Sequence, residues 1–182
     1  PENVEFRNLY THPGNKISFD ISANGFDEYL SDPAHPVPYT EDVHNGRTRE
    51  YMTDDQRFAA RRPDVLTYEL ATLTDDITLA GPVIADLVTS ISTTDADFVV
   101  KLIDVFPDDF EYPAATKGNG KDYPMGGYQM LVRAEIMRGK FRNSFEKPEA
   151  FTPGKITQVK YTLPDVAHTF KKGHRLMIQI QS

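Results

Sequence analysis

Two apolar alternating runs, Val83 to Ile91 and Phe98 to Phe106, stand on either side of a short polar turn, and they restrict this chain to sheet packed on sheet. In the first run Val83, Ala85, Leu87, Thr89 and Ile91 fall on one side and Ile84, Asp86, Val88 and Ser90 on the other, the period of a half-buried strand. Gly81-Pro82 places a kink at its start. The second run is β-branched and aromatic on both faces, as in a central strand covered from two sides, except at Lys101 and Asp104. Asp104 then needs a partner, because a carboxylate is costly to bury alone. Together the runs read as a hairpin, with Asp95 and Asp97 bracing its turn by side-chain-to-backbone bonds.

Further strand signals follow from Pro63 onward: Val65 to Glu69, Ile77 to Leu79, Tyr128 to Met137, Lys155 to Leu163 and Arg175 to Gln181. In the run from Lys155, Val159, Tyr161 and Leu163 oppose Lys160 and Thr162. In the last run Leu176, Ile178 and Ile180 oppose Arg175, Met177, Gln179 and Gln181. Such alternation predicts an antiparallel sheet with one solvated face. Turn residues fall at Gly118-Asn119-Gly120, Gly126-Gly127, Gly139, Pro153-Gly154 and Gly173. No helix of ten residues is evident, and Thr53 to Ala60 allows a turn or two. Many short strands with Gly and Pro punctuation call for an all-β sandwich or jelly roll.

Residues 1–62 have a different texture, with short strands expected at Val4 to Tyr10 and Lys16 to Ile21. Pro33, Pro36 and Pro38 then impose an extended, polyproline-like path on Asp32 to Tyr39. Tyr29, Leu30, Val37 and Tyr39 lie too close together for a free tether, so this region is expected to drape over the domain as a strap. We therefore expect a single domain over 1–182, with the strap at 1–62 and the sandwich core at 63–182. The insert from Pro107 to Gly127 reads as a surface loop near a domain junction.

A net charge of −7 and basic clusters no longer than Arg61-Arg62 or Lys171-Lys172 argue against a nucleic-acid surface. No run of about 20 apolar residues is available for a membrane helix, so a soluble piece without a membrane partner is expected. The absence of cysteine excludes disulfides and thiolate metal sites while leaving the compartment open, a secreted or periplasmic parent included.

Catalytic patterns are missing as well. None of Ser18, Ser22, Ser31, Ser90, Ser92, Ser144 and Ser182 sits in a Gly-x-Ser-x-Gly elbow. His168 and His174 flank a turn and could converge, but they lack zinc-motif spacing. The acidic groups Asp75 with Asp76, Asp95 with Asp97, and Asp108 with Asp109 and Glu111 match no calcium loop and read as solvated turns. We expect no catalytic residue, metal or cofactor within the chain. An autonomous carbohydrate-binding module is the alternative, resting on Tyr29, Tyr39, Tyr51, Tyr68, Tyr112 and Tyr123, although tryptophan is absent.

The block at 75–108 also carries a family likeness. In order along the chain come Leu9-Tyr-Thr-His-Pro-Gly14, Tyr29-Leu-Ser-Asp-Pro-Ala-His-Pro-Val-Pro-Tyr39, Asp55-Gln-Arg-Phe58, Arg62-Pro-Asp-Val-Leu-Thr-Tyr-Glu69, Arg138-Gly-Lys-Phe-Arg-Asn-Ser-Phe-Glu-Lys-Pro148 and Leu163-Pro-Asp-Val-Ala-His-Thr-Phe170. This series resembles the C-terminal domain of the bacterial acyl esterase group that includes cocaine esterase, the α-amino acid ester hydrolases and the glutaryl-7-aminocephalosporanic acid acylases. X-Pro dipeptidyl-peptidases are a more distant likeness.

The resemblance implies a galactose-binding-like jelly roll and a non-catalytic role in a larger serine hydrolase. Its nucleophile would lie in an α/β-hydrolase domain of the same polypeptide. The surface expected to meet that domain comprises the strap residues Tyr29, His35, Val37, Pro38 and Tyr39 and the turn residues Phe141, Arg142 and Phe145, with Arg142 offering a bidentate salt bridge. Assembly into a homo-oligomer is left open. Family members continue past the position of Ser182, and without that continuation a sheet edge would stay unpaired.

Overall fold

A computed structural model describes residues 4–21, 24–46, 48, 50–112 and 124–182. The turn expected at Gly118-Asn119-Gly120, Tyr123 and most of the 107–127 insert lie outside them. Among the described residues eight strands form: β1 (Tyr10–His12), β2 (Lys16–Ser18), β3 (Val65–Glu69), β4 (Ile77–Thr89), β5 (Asp97–Val105), β6 (Gln129–Arg138), β7 (Thr157–Phe170) and β8 (Arg175–Gln181). Helical structure among the described residues is limited to α1 (Arg57–Ala60) and two 3-10 turns at Glu50–Met52 and Gly139–Phe141. Six strands hydrogen-bond in the order β1-β2-β3-β8-β5-β6, and the long strands β4 and β7 pair as a second sheet. The all-β sandwich expected from the alternation is the observed architecture.

The expected hairpin is corrected. β4 pairs with β7, whereas β5 lies in the other sheet between β8 and β6. The polar linker between them crosses from sheet to sheet, and Ala85 meets Phe98 and Val100 across the core with Val159, Tyr161 and Leu163. Period-two alternation reports which side of a strand is buried, and it is silent about the lateral partner. Asp95 and Asp97 still brace this corner. Asp95 accepts from the amides of Ala96 (3.1 Å) and Lys140 (2.9 Å). Asp97 receives a two-pronged Arg138 contact at 2.8 and 3.0 Å.

Two irregularities set the register. Gly81, at φ 110°, precedes a shift at which Gly81 faces Val166 but Val83 faces Leu163, so β7 carries one extra residue. This bulge moves the inward set of β7 from Val159, Tyr161 and Leu163 to Val166 and Phe170, all five of them buried. The interior between the sheets continues through Ile17, Tyr68, Leu73, Leu102 and Leu176.

The opposite face of β8 is also covered, contrary to the expected solvated face. Met177, Gln179 and Gln181 are buried. Their cover is part of the segment 51–60, where Met52 packs against Ile103, Val105, Leu131 and Met177. Gln56 is fastened there from three sides. Its amide donates to Gln129 O at 3.0 Å, its side chain donates to Asp54 O at 3.0 Å, and its carbonyl accepts from Gln179 Nε2 at 3.3 Å. Glutamines buried beneath a covering segment look identical in sequence to glutamines facing water.

Candidate domain interface

Before segment 51–60 the strap runs beside β3 and the end of β8, where further polar contacts hold it. Asp27 accepts from the Tyr68 hydroxyl at 3.0 Å. Burial, with Asp27 second, pushes the Tyr68 hydroxyl up out of its ordinary range. Tyr29 is half-buried, and burial raises it too, against the opposing effect of its bond to Ser182. Further on, Arg62 forks onto Asp64 at 2.8 and 2.7 Å while donating to His35 O at 3.3 Å.

Prolines and an aspartate shape the exposed part. Asp32 accepts from the Ala34 amide at 2.9 Å and faces His35 Nδ1 at 2.8 Å, and its carbonyl accepts the His35 amide at 2.9 Å. The His35 contact holds the Asp32 carboxyl below the usual carboxylate range. His35 and Pro38 are exposed and Val37 is half-buried. Tyr39 is 54% exposed, with its ring 6.4 Å from that of Tyr51. The contact surface expected from sequence left out the more exposed neighbours Phe26 and Leu30, which leave 82% and 83% of their surface in solvent. Apolar residues in a path without regular periodicity carry no signal of which way they face.

The turn hangs elsewhere, from the end of β6 against β7. Phe141 is half-buried and Phe145 is 79% exposed, with ring centroids 6.4 Å apart and planes 29° apart. With Ile136, Arg142, Tyr161 and Thr162 they line a shallow groove of about 580 Å³. Arg142 corrects the expectation of an interdomain salt bridge. Its side chain is only 5% exposed and its guanidinium pairs with Glu149 at 3.1 Å. It also donates to Gly139 O (3.0 Å) and Glu149 O (2.6 Å) and lies 4.3 Å from the Phe151 ring centroid. The fork is consumed in folding its own turn.

The other polar clusters bond within the chain. His168 and His174 converge on Asp104 at 2.9 and 2.8 Å. Asp76 accepts from Lys172 N at 2.8 Å and pairs with Lys171. Tyr68 is buried, and Tyr112 packs edge-on against Phe110 while accepting from Met125 N at 2.9 Å. Among the described residues, no three His, Cys, Asp or Glu side chains are grouped to hold a metal, and no helix is long and apolar enough to cross a membrane.

These elements make a two-sheet β-sandwich with segment 51–60 packed over the outer face of the larger sheet. Residues 25–182 match the family described as the X-Pro dipeptidyl-peptidase C-terminal non-catalytic domain. The chain belongs to that family. It is 34% identical over 173 residues to cocaine esterase of Rhodococcus sp. (strain MB1 Bresler), a match that covers 93% of this chain and 26% of that protein. It is similar to an aminopeptidase structure from a marine sediment Thaumarchaeota archaeon, at 38% identity and a TM-score of 0.87, over 100% of this chain and 30% of that one. An α-amino acid ester hydrolase matches at 39% identity and a TM-score of 0.85, over 96% and 28%. The chain thus spans between a quarter and a third of each of these relatives.

Proposed function

We propose that this chain is the C-terminal, galactose-binding-like jelly-roll domain of a serine-type acyl esterase or acylase, and that it packs on and stabilises an α/β-hydrolase domain of the same polypeptide. The acyl-enzyme chemistry belongs to a serine elsewhere in that polypeptide. The domain consists of a strap at 1–62 and a core at 63–182. The observation that carries this reading is that Phe26, Leu30 and Tyr39 each stay exposed on a strap otherwise fastened to the core. Three large apolar groups left exposed within fourteen residues of a fastened segment fit a surface that a partner covers. His35, Val37 and Pro38 complete this contact, and Phe141 and Phe145 form a second one. Arg142 contributes by shaping the second contact, not by reaching across.

The test is to replace Phe26, Leu30 and Tyr39 together by serine in the full polypeptide. Since all three are mostly exposed, the sandwich itself is expected to fold unchanged. Melting of the hydrolase domain is expected to fall by several degrees, with ester hydrolysis reduced in parallel. Unchanged melting and kinetics would reject the reading, and a change of oligomeric state alone would assign these residues to a second copy of the chain.

A further inference from the structure

Lys101 occupies the middle of β5 on the face covered by segment 51–60, and the residue is only 5% exposed. Its ammonium donates to Gln56 Oε1 at 3.0 Å and sits 5.6 Å from the Phe58 ring centroid. Both partners come from the covering segment, so the amine joins that segment to the sheet. An amide oxygen and a ring face compensate a buried cation much less than a carboxylate does.

No charge stands opposite it in the sheet, since its cross-strand neighbours are Gln179 on β8 and Ala134 on β6. The covering segment carries Asp54, Asp55 and Arg57, with Arg61 just beyond its end, and Asp55 is engaged by Arg57 at 2.6 Å. Glu69 and Arg175 pair with each other at 2.9 Å, at the far end of the adjoining strands. Burial brings the Lys101 ammonium down from 10.5 to about 8.

We propose that Lys101 is a proton-linked latch: segment 51–60 closes tightly over the sheet when the amine is neutral and lifts more readily when it is charged. Between pH 8 and 10.5, closing releases a proton from Lys101 to solvent. The direction follows from linkage. A lysine whose folded value lies below its free value weakens the closed state in full below pH 8, and the penalty is withdrawn as pH rises from 8 to 10.5. Tyr51, in the same segment, packs beside Tyr39, so lifting also loosens the surface proposed to meet the hydrolase domain. The latch itself does not depend on that reading.

The experiment is tryptic cleavage after Arg57 and Arg61 in the full polypeptide, comparing the native protein with Lys101→Met between pH 8.5 and 9.5. Taking the ratio of the two rates cancels the protease's own pH profile. The native-to-variant ratio is expected to fall about sevenfold over that unit of pH. A ratio independent of pH would overturn the proposal. Should Lys101→Met fail to fold, competitive acetylation of native Lys101, read by mass spectrometry, decides the matter. Its rate should level off near pH 8 if the latch operates, and a rise continuing towards pH 10.5 like that of an ordinary lysine would refute it.

Discussion

Asp104 and His174 lie 2.8 Å apart, both buried at one end of the sandwich, and the second oxygen of the same carboxylate meets His168 at 2.9 Å. A carboxylate only accepts, so His174 presents Nδ1–H and His168 presents Nε2–H. Asp104 thereby ties β5 to β7 and to the turn before β8. Replacement by leucine leaves two imidazole N–H groups without an acceptor and should cost about 2–4 kcal/mol. Asp104→Asn should cost less, because its amide oxygen still serves one ring. Urea denaturation of the two variants should give this order of midpoints.

Gly139 has a steric role. A Cβ there would stand 2.5 Å from Phe151 Cε2, 2.9 Å from Phe98 Cε2 and 3.0 Å from Ala96 O. Gly139→Ala should therefore push the two rings apart and destabilise the fold by about 1–3 kcal/mol, the usual cost of overpacking. Thermal melting checks this, and a variant as stable as the native protein would show that the corner relaxes freely.

Arg142 should behave as a residue of the fold. Removing its guanidinium by Arg142→Ala strips a charged donor from Gly139 O and Glu149 O. The expected loss is about 1.5–3 kcal/mol. Arg142→Lys should recover only part of it, because an ammonium cannot reproduce the fork and its stacking over Phe151. Denaturant midpoints of the two variants separate this role from a contact made only with another domain, for which both would melt like the native chain on its own.

The Arg62 and Asp64 pair predicts a pH dependence. Arg62 holds the Asp64 carboxyl below its ordinary value of 3.8. A depressed carboxylate stabilises the fold above its free pKa, and that contribution fades as pH falls through the lower folded value. Arg62→Gln should melt earlier than the native protein at pH 6, and the two should converge as the solution is taken well below pH 3.8. Parallel melting curves across that range would show that the pair adds nothing.

Much of the strand pattern was legible because alternation is local. β3 and β8 have the bounds that the apolar runs imply, and β5 is buried on both faces as its composition requires. The need of Asp104 for a partner followed from its place in such a strand, although the sequence alone left it open whether His168 and His174 converge. The candidate interface was less legible: the strap and the turn could be named from the likeness, but the orientation of Phe26, Leu30 and Arg142 could not, since irregular backbone has no period to read.

The two runs either side of residues 92–97 show where the boundary falls. Sequence alone determined that each is a strand, the first apolar on one side and the second on both, because neighbouring side chains on an extended backbone point to opposite faces. Only the tertiary structure decided that β4 pairs with β7 while β5 enters the other sheet, and that the polar face carrying Gln179 lies under the strap. Those outcomes depend on contacts between residues far apart in the chain, such as Gln56 with Gln179. A strand's own pattern is the same whichever distant segment completes its hydrogen bonds.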